Sequence, residues 1–581
     1  MPQPFLIAPW IEELSIRNWF DDPELVELLR KNGLTPASVL QNFLGTLESG
    51  SCRNGIEVGY TLSIALYDLF GWSASRSDWS FDPGKLNFFL DFIRDVGRPV
   101  VINLRANHFV GQSDLARELA QDESALARTN DGSVIRETYY NNTTFAPVFS
   151  LDESIRLNRF RLGGFRRASE LLAAFDKAHP RLVRAVTLAG ELHHCVTNLA
   201  DPTSSGRFAG VQMTDYSEAS VRDFREWLRG KYTDIEQLNG LFGTPFTDWR
   251  EVVPPAADLR TRSDAPGWMH MDSYCNGLLP IFGWAELQAG DKIDIFLDGR
   301  HAGRADDCLS RMDVYDHLPH LARSDVGWRY EMDYRSLPPG PHVLHLVVQR
   351  VDGSRFLVAR RNISICSGSF ADSGNPSVGA HPELDHLPLA SGNGIASCVD
   401  HPPDCLSLLF NPFAAEWQIF RELQVTSLLG CFARIAVESG LDRSRIFSHQ
   451  ISVQLEGSWN YVAFAVDARA AAGSMFLPGL NLYGGTVTCP RLAELTGGRP
   501  YGVPEFHPRM GKLESREVFR SALDFHWKNG AVFVSPYFMG IRHPQIPAAR
   551  NAVRDMFVHP LNPALGSHFF YAALVDFLRR E

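Results

Sequence analysis

Two apolar runs in this 581-residue chain share one form, and that form restricts the fold more than anything else in the sequence. Leu182-Val183-Arg184-Ala185-Val186-Thr187-Leu188-Ala189-Gly190 ends at Glu191, and Arg499-Pro500-Tyr501-Gly502-Val503-Pro504 ends at Glu505, with Phe506, His507 and Pro508 behind it. Each reads as a short buried strand that delivers a lone carboxylate to its own C-terminal end. Prolines on both sides of Glu505 stop helix and further sheet pairing. A parallel barrel keeps its chemistry at the C-terminal ends of its strands. Two carboxylates at the mouths of separate strands are what retaining glycoside hydrolysis needs, one as acid/base and one as nucleophile, about 5–5.5 Å apart.

The flanking text supports a barrel. Asp21 to Asn32 carries acids first, bases last and Gly33 after the end, the pattern of a capped helix. A β-rich run from Ile56 to Ile64, a helix opened by Asp82-Pro83 and stopped by Gly97, and a strand at Pro99–Leu104 give the strand-helix-strand alternation of a parallel sheet. After Glu191 a helix through Phe224, Trp227 and Leu228 follows. The character then changes: from 277 to 366, short β runs such as Lys292–Leu297 and Gly340–Val348 alternate with Asp-Gly turns, which predicts an antiparallel β-sandwich. Residues 367–411 lack periodicity and read as a linker or lid. A helix from Pro412 to Gly440 resumes the alternation, with later strands at Arg445–Gln450, Ser474–Tyr483, the Glu505 run and Ala531–Tyr537. The expectation is a (β/α)8 barrel split into 1–276 and 412–581 by an inserted β-sandwich at 277–366. Its first strand falls somewhere in Phe5 to Leu47.

Composition narrows the function. A net charge of −11 without a basic block argues against nucleic acid and against an anionic membrane face. The nine cysteines are scattered with no CxxC pair, so neither a zinc knuckle nor a complete disulfide framework is indicated, although Cys398 and Cys405 lie close enough in sequence to bridge. The start Met1-Pro2-Gln3-Pro4-Phe5 shows no basic region before an apolar core, which gives a cytoplasmic expectation. His193 and His194 are adjacent and point in different directions, so no metal is expected there, and no cofactor is expected.

Side chains at strand ends supply the candidate sugar ligands. The third strand opens onto Arg105 and Asn107. His449, Gln450 and His507 carry groups that both donate and accept, suited to sugar hydroxyls in a partly dry pocket. Asn481 points towards the same cleft, and Trp459 and Tyr537 suit the stacking wall of a pyranose. Core or loop packing is the competing reading for each of these.

The segment YSEASVRDFREWLRGKYTDIEQLNGLFGTPFTDWREVVPP, Tyr216 to Pro255, resembles the stretch that follows the acid/base strand in microbial β-galactosidases of the clan A retaining glycoside hydrolases. Trp79-Ser80-Phe81-Asp82 through Val100-Val101-Ile102 is similar to the region leading into that clan's third strand. The resemblance implies an acid/base at the end of strand four, here Glu191, and a nucleophile at the end of strand seven, here Glu505. It also implies that Tyr483 on strand six hydrogen-bonds the nucleophile. Two departures stand out. The clan's Asn before the acid/base is Gly190 here, and its strand-two arginine is missing from Ile56 to Tyr67, leaving Arg105 as the substitute. The implied activity is β-galactosidase-like hydrolysis of a glycoside or oligosaccharide. Transglycosylation through the same intermediate and catalytically silent carbohydrate binding are the alternatives, and an insert beside the mouth suggests a homo-oligomer.

Overall fold

The structure, a computed structural model, describes residues 4–11, 14, 23–48, 55–107, 111, 113–139, 142–195, 212–318, 320–370, 379–466, 475–484, 491–508, 516–541 and 558–579. Eight parallel strands close into a ring. Strand one, Phe5–Ile7, pairs with strand two, Ile56–Val58, which continues past Gly59 as Tyr60–Ala65 and pairs with strand three, Val100–Arg105. Strand three pairs with strand four, Val183–Ala189, and strand four with the first half of strand five, Ile446–Phe447. The second half of strand five, Gln450–Ile451, pairs with strand six, Leu480–Tyr483. Strand seven, Tyr501–His507, links strand six to strand eight, Ala531–Pro536, which closes on strand one. Ser474, the expected start of strand six, lies outside the described residues.

Burial on both sides explains why these strands read as unbroken apolar runs: all seven residues of strand four are buried. Inward-facing Leu6, Ala8, Val101, Ala185, Phe447 and Phe533 fill the ring, while outward-facing neighbours such as Ile7, Val100 and Val186 pack on the helices. The helices obey their local signals. Asp82 caps Pro83–Val96 by accepting from the Gly84 N–H, and Gly97 ends it at φ +63. Ser217 caps Glu218–Lys231, and Asp234 caps Ile235–Phe242.

Between strands four and five the chain builds two sheets around a separate core that includes Trp328, Leu344, Leu346 and Ile295. The expected boundary at 366 is too early. Ser397–His401 pairs with Leu278–Ala285 at the edge of one sheet, and Cys405–Leu408 pairs with Arg355–Ile365 at the edge of the other. The short helix Pro382–Asp385 places Leu384 against Val347 and Leu357. Much of 379–411 is therefore packed structure, and the linker-or-lid reading is corrected for it. Both strands are short edge strands broken by Asp400, His401 and two prolines, so they lack the alternation that marks a central strand. Cys398 and Cys405 are free thiols.

Candidate active site

Strand four and strand seven reach the rim by different backbone devices. At the end of strand four, Ala189 and Gly190 are both left-handed, with φ +62 and +85. For Ala189 this conformation is costly, of order 1 kcal/mol or more. It is held because its carbonyl accepts from the N–H groups of Ala106 (3.2 Å) and Asn107 (3.1 Å). The reversal carries Glu191 into the mouth. Gly190 suits the conformation because only glycine adopts a φ this positive without strain.

Strand seven uses a bulge. Val503 pairs with Val534 and Phe506 with Pro536, so Pro504 and Glu505 together face the single residue Ser535. The extra residue lets Val503 and Phe506 both pack outward while Glu505 turns into the cleft.

The two carboxylates meet. One oxygen of Glu191, one of Glu505 and one ring nitrogen of His449 all lie within 4.8 Å of one another. Oε1 of Glu191 accepts from Asn481 Nδ2 at 2.6 Å, and its Oε2 is 3.9 Å from His193 Nε2. Glu505 accepts from the Tyr483 hydroxyl on one oxygen, and His449 Nε2 lies 3.1 Å from the other. The other ring nitrogen of His449 is 3.3 Å from Asn103 Oδ1, so strand three orients the imidazole. Arg105 points into the ring one turn of alternation above Asn103. Burial pulls its guanidinium below the usual range, against the opposing pull of charges on Asp68, Tyr537 and Glu505. Tyr537 stacks on Phe538 at 3.9 Å and meets Tyr483 edge-on at 5.8 Å, forming an aromatic wall with Trp10.

Glu191, Glu505, Arg105, His449, Asn481, Tyr483 and Tyr537 thus come together. Four other candidates do not. Asn107 accepts from Arg161 Nη1 at 2.5 Å and is locked to the helix Arg156–Ala178. The Gln450 amide, in the orientation that satisfies both its ends, donates to the Leu192 carbonyl (2.8 Å) and accepts from the Leu192 N–H (3.3 Å). Both ends of the amide are thereby paired with the backbone next to Glu191. His507 is fully buried among the outer helices, 3.2 Å from Ser567 Oγ and packed on Phe570, because the bulge resets the alternation after Glu505. Trp459 stacks flat on Phe464 at 4.9 Å, and Phe464 in turn meets His193 at 5.4 Å, which sets two rings between Trp459 and Glu191. Trp10, just beyond strand one, was not anticipated; nothing marked so short a strand as part of the ring.

As for metal, Glu191, His449 and Glu505 are close enough together to ligate a cation, but the Asn481 and Tyr483 donors already direct protons at both carboxylates. Asp258, His270 and Asp272 form a second such group, where the Arg260 guanidinium supplies the positive charge to both aspartates. His194 is buried neutral: burial pushes its pKa well below the usual imidazole value, and its Nε2 meets the Arg421 carbonyl at 3.0 Å, facing away from His193.

Paired carboxylates on strands four and seven, at the C-terminal rim of a closed parallel ring, make this chain similar to the clan A barrel glycoside hydrolases. Residues 206–266 match the family model described as beta-galactosidase (glycosyl hydrolase family 42). No curated protein sequence matches the chain. Among solved structures, the catalytic domain of a beta-amylase from Paenibacillus polymyxa is 10% identical over 94% of this chain and 95% of its own, with a TM-score of 0.45. The apo exo-carrageenase GH42 from Bacteroides ovatus is 10% identical over 99% of this chain, with a TM-score of 0.42; the chain spans 52% of that protein's length.

Proposed function

We propose that this chain is a retaining glycoside hydrolase for a β-linked, β-galactoside-like substrate, built as a (β/α)8 barrel interrupted by a β-sandwich. The observation that supports the reading is the convergence of Glu191, Glu505 and His449, with one oxygen or ring nitrogen of each within 4.8 Å of the others, which is compatible with the about 5–5.5 Å carboxyl separation of retaining enzymes.

In the first step a Glu505 oxygen attacks the anomeric carbon while Glu191 gives its proton to the departing glycosidic oxygen. The C–O bond to the leaving group breaks as the Glu505–sugar ester forms. In the second step Glu191, now ionised, takes a proton from water, whose oxygen displaces Glu505. Tyr483 and His449 hold Glu505 in line for attack, and Arg105 adds positive charge beside it. Asn481 fixes the rotamer of Glu191.

Turnover of a panel of aryl α- and β-glycosides by wild type, Glu191→Gln and Glu505→Gln tests this. Cleavage of a β-glycoside by wild type and its collapse in both variants is the expected result. Sugar binding without turnover of any member of the panel would instead make the protein a carbohydrate binder.

A further inference from the structure

We infer that Trp10 is a specificity-determining residue whose indole N–H reads one hydroxyl of the sugar held between Glu191 and Glu505; the inference rests on the glycoside reading of that cleft. Trp10 follows strand one, and strand one stands across the ring from strand five. Even so, the Trp10 ring reaches the ring of His449 on strand five, with centroids 6.1 Å apart and an edge-on angle of 77°. Side chains from alternate strands meet in layers inside such a ring, so Trp10 belongs to the layer that holds His449, directly beside the carboxylate pair. Its own place is fixed by backbone bonds: its N–H donates to the Pro536 carbonyl at 2.9 Å, and its carbonyl accepts from Met539 at 2.8 Å. Edge contacts with Tyr537 (5.7 Å) and Phe538 (6.0 Å) hold the ring itself.

Trp10 is 5% exposed, and its Nε1–H has no hydrogen-bond partner among the described residues. An indole nitrogen can only donate, and a buried donor left unpaired is costly unless something supplies an acceptor. Trp328 and Trp417 also carry unpaired indole N–H groups, but they lie in the core of the insert and in the helix layer, away from the carboxylates. Only Trp10 of the three adjoins the catalytic pair. The cleft offers a matching acceptor: Asn481 spends its amide N–H on Glu191, while its Oδ1 is buried and unpaired. One free donor and one free acceptor beside the same carboxylate pair suit a neutral ring whose hydroxyls each do both. With Gly190 standing where the clan has Asn, these groups take on hydroxyl recognition that no side chain at position 190 can provide.

The test is titration calorimetry with non-hydrolysable 4-nitrophenyl thio-β-galactoside and its 2-, 3-, 4- and 6-deoxy analogues, on wild type and Trp10→Phe, with aryl O-glycoside turnover measured in parallel. Phenylalanine keeps an aromatic ring, smaller than indole, and removes the donor. Trp10→Phe should bind the parent about tenfold more weakly. One deoxy analogue should lose about the same factor on wild type and nothing further on Trp10→Phe. Equal binding of the parent by both proteins, a uniform loss across all analogues, or no binding by wild type would overturn the inference. Selective loss without turnover would uphold the Trp10 role and discard the hydrolase reading. Thermal melting of both proteins separates unfolding from lost recognition, and a Trp10→Phe that melts with wild type yet still loses affinity for that same deoxy analogue also counts against it.

Discussion

Asn481 donates to Glu191, and Tyr483, two residues further along strand six, donates to Glu505. Side chains two apart on a strand share a face, so one short strand clamps both carboxylates at a fixed separation. Loosening either contact is expected to affect one half of the reaction more than the other.

For Tyr483→Phe the lost donor faces Glu505, which the proposed mechanism makes the leaving group of its second step. kcat is expected to fall about ten- to a hundredfold with little change in melting temperature, measured as steady-state kinetics on an aryl β-glycoside. An unchanged kcat would remove Tyr483 from the machinery.

Asn481→Ala removes the amide that holds the Glu191 carboxylate. With Glu191 as the proposed acid, kcat/KM is expected to fall about tenfold for an aryl β-glycoside with a poor leaving group, which needs the proton, and less for 4-nitrophenyl, which departs without it. An equal loss for both leaving groups would contradict the assignment of Glu191 as acid.

Gly190→Ala places a side chain at φ +85. It is expected to cost about 1 kcal/mol or more of stability, read by denaturant unfolding, and to lower kcat by displacing Glu191. Retention of full activity and stability would show that the strand-four reversal tolerates a side chain.

The seam between the ring and the insert carries its own pH dependence. In the loop after strand five, Leu455 and Gly457 bond the backbone of Ser310 from the insert, each at 2.9 Å, and burial pushes the Glu456 carboxyl between them up to about 8 from 4.5, helped by Asp313 and opposed by Ser310 and Arg311. The folded protein therefore holds this proton where the unfolded chain has lost it. The Glu456 contribution to stability is full below about pH 4.5 and is lost as pH rises through about 8. Glu456→Gln should flatten the fall in melting temperature between about pH 4.5 and 8. An identical fall in the variant would exclude Glu456 as its source.

The ring was legible where burial on both faces leaves continuous apolar runs, as in Val183–Ala189 and Val100–Leu104. Helix ends were legible where Asp82 and Gly97 mark them chemically. Phe5–Ile7 was not legible, since three residues carry no period, and neither were the polar edge strands at 397–408. In the site, the two glutamates and strand six followed from strand order. The fate of His507 did not, because it depends on a bulge between Val503 and Phe506 that only the pairing with strand eight reveals. Gln450 and Asn107 carry amides as apt for backbone or arginine as for sugar, and local sequence does not say which partner is nearer.

A covalent bond between Glu505 and the sugar defines the proposed mechanism. Incubating the enzyme with the activated 2-deoxy-2-fluoro β-glycoside of a sugar it cleaves, then digesting it and sequencing peptides by mass spectrometry, reads that bond directly. A single glycosyl adduct on Glu505, absent from Glu505→Gln, is the expected result. An active enzyme that carries the adduct elsewhere, or forms none, would contradict it.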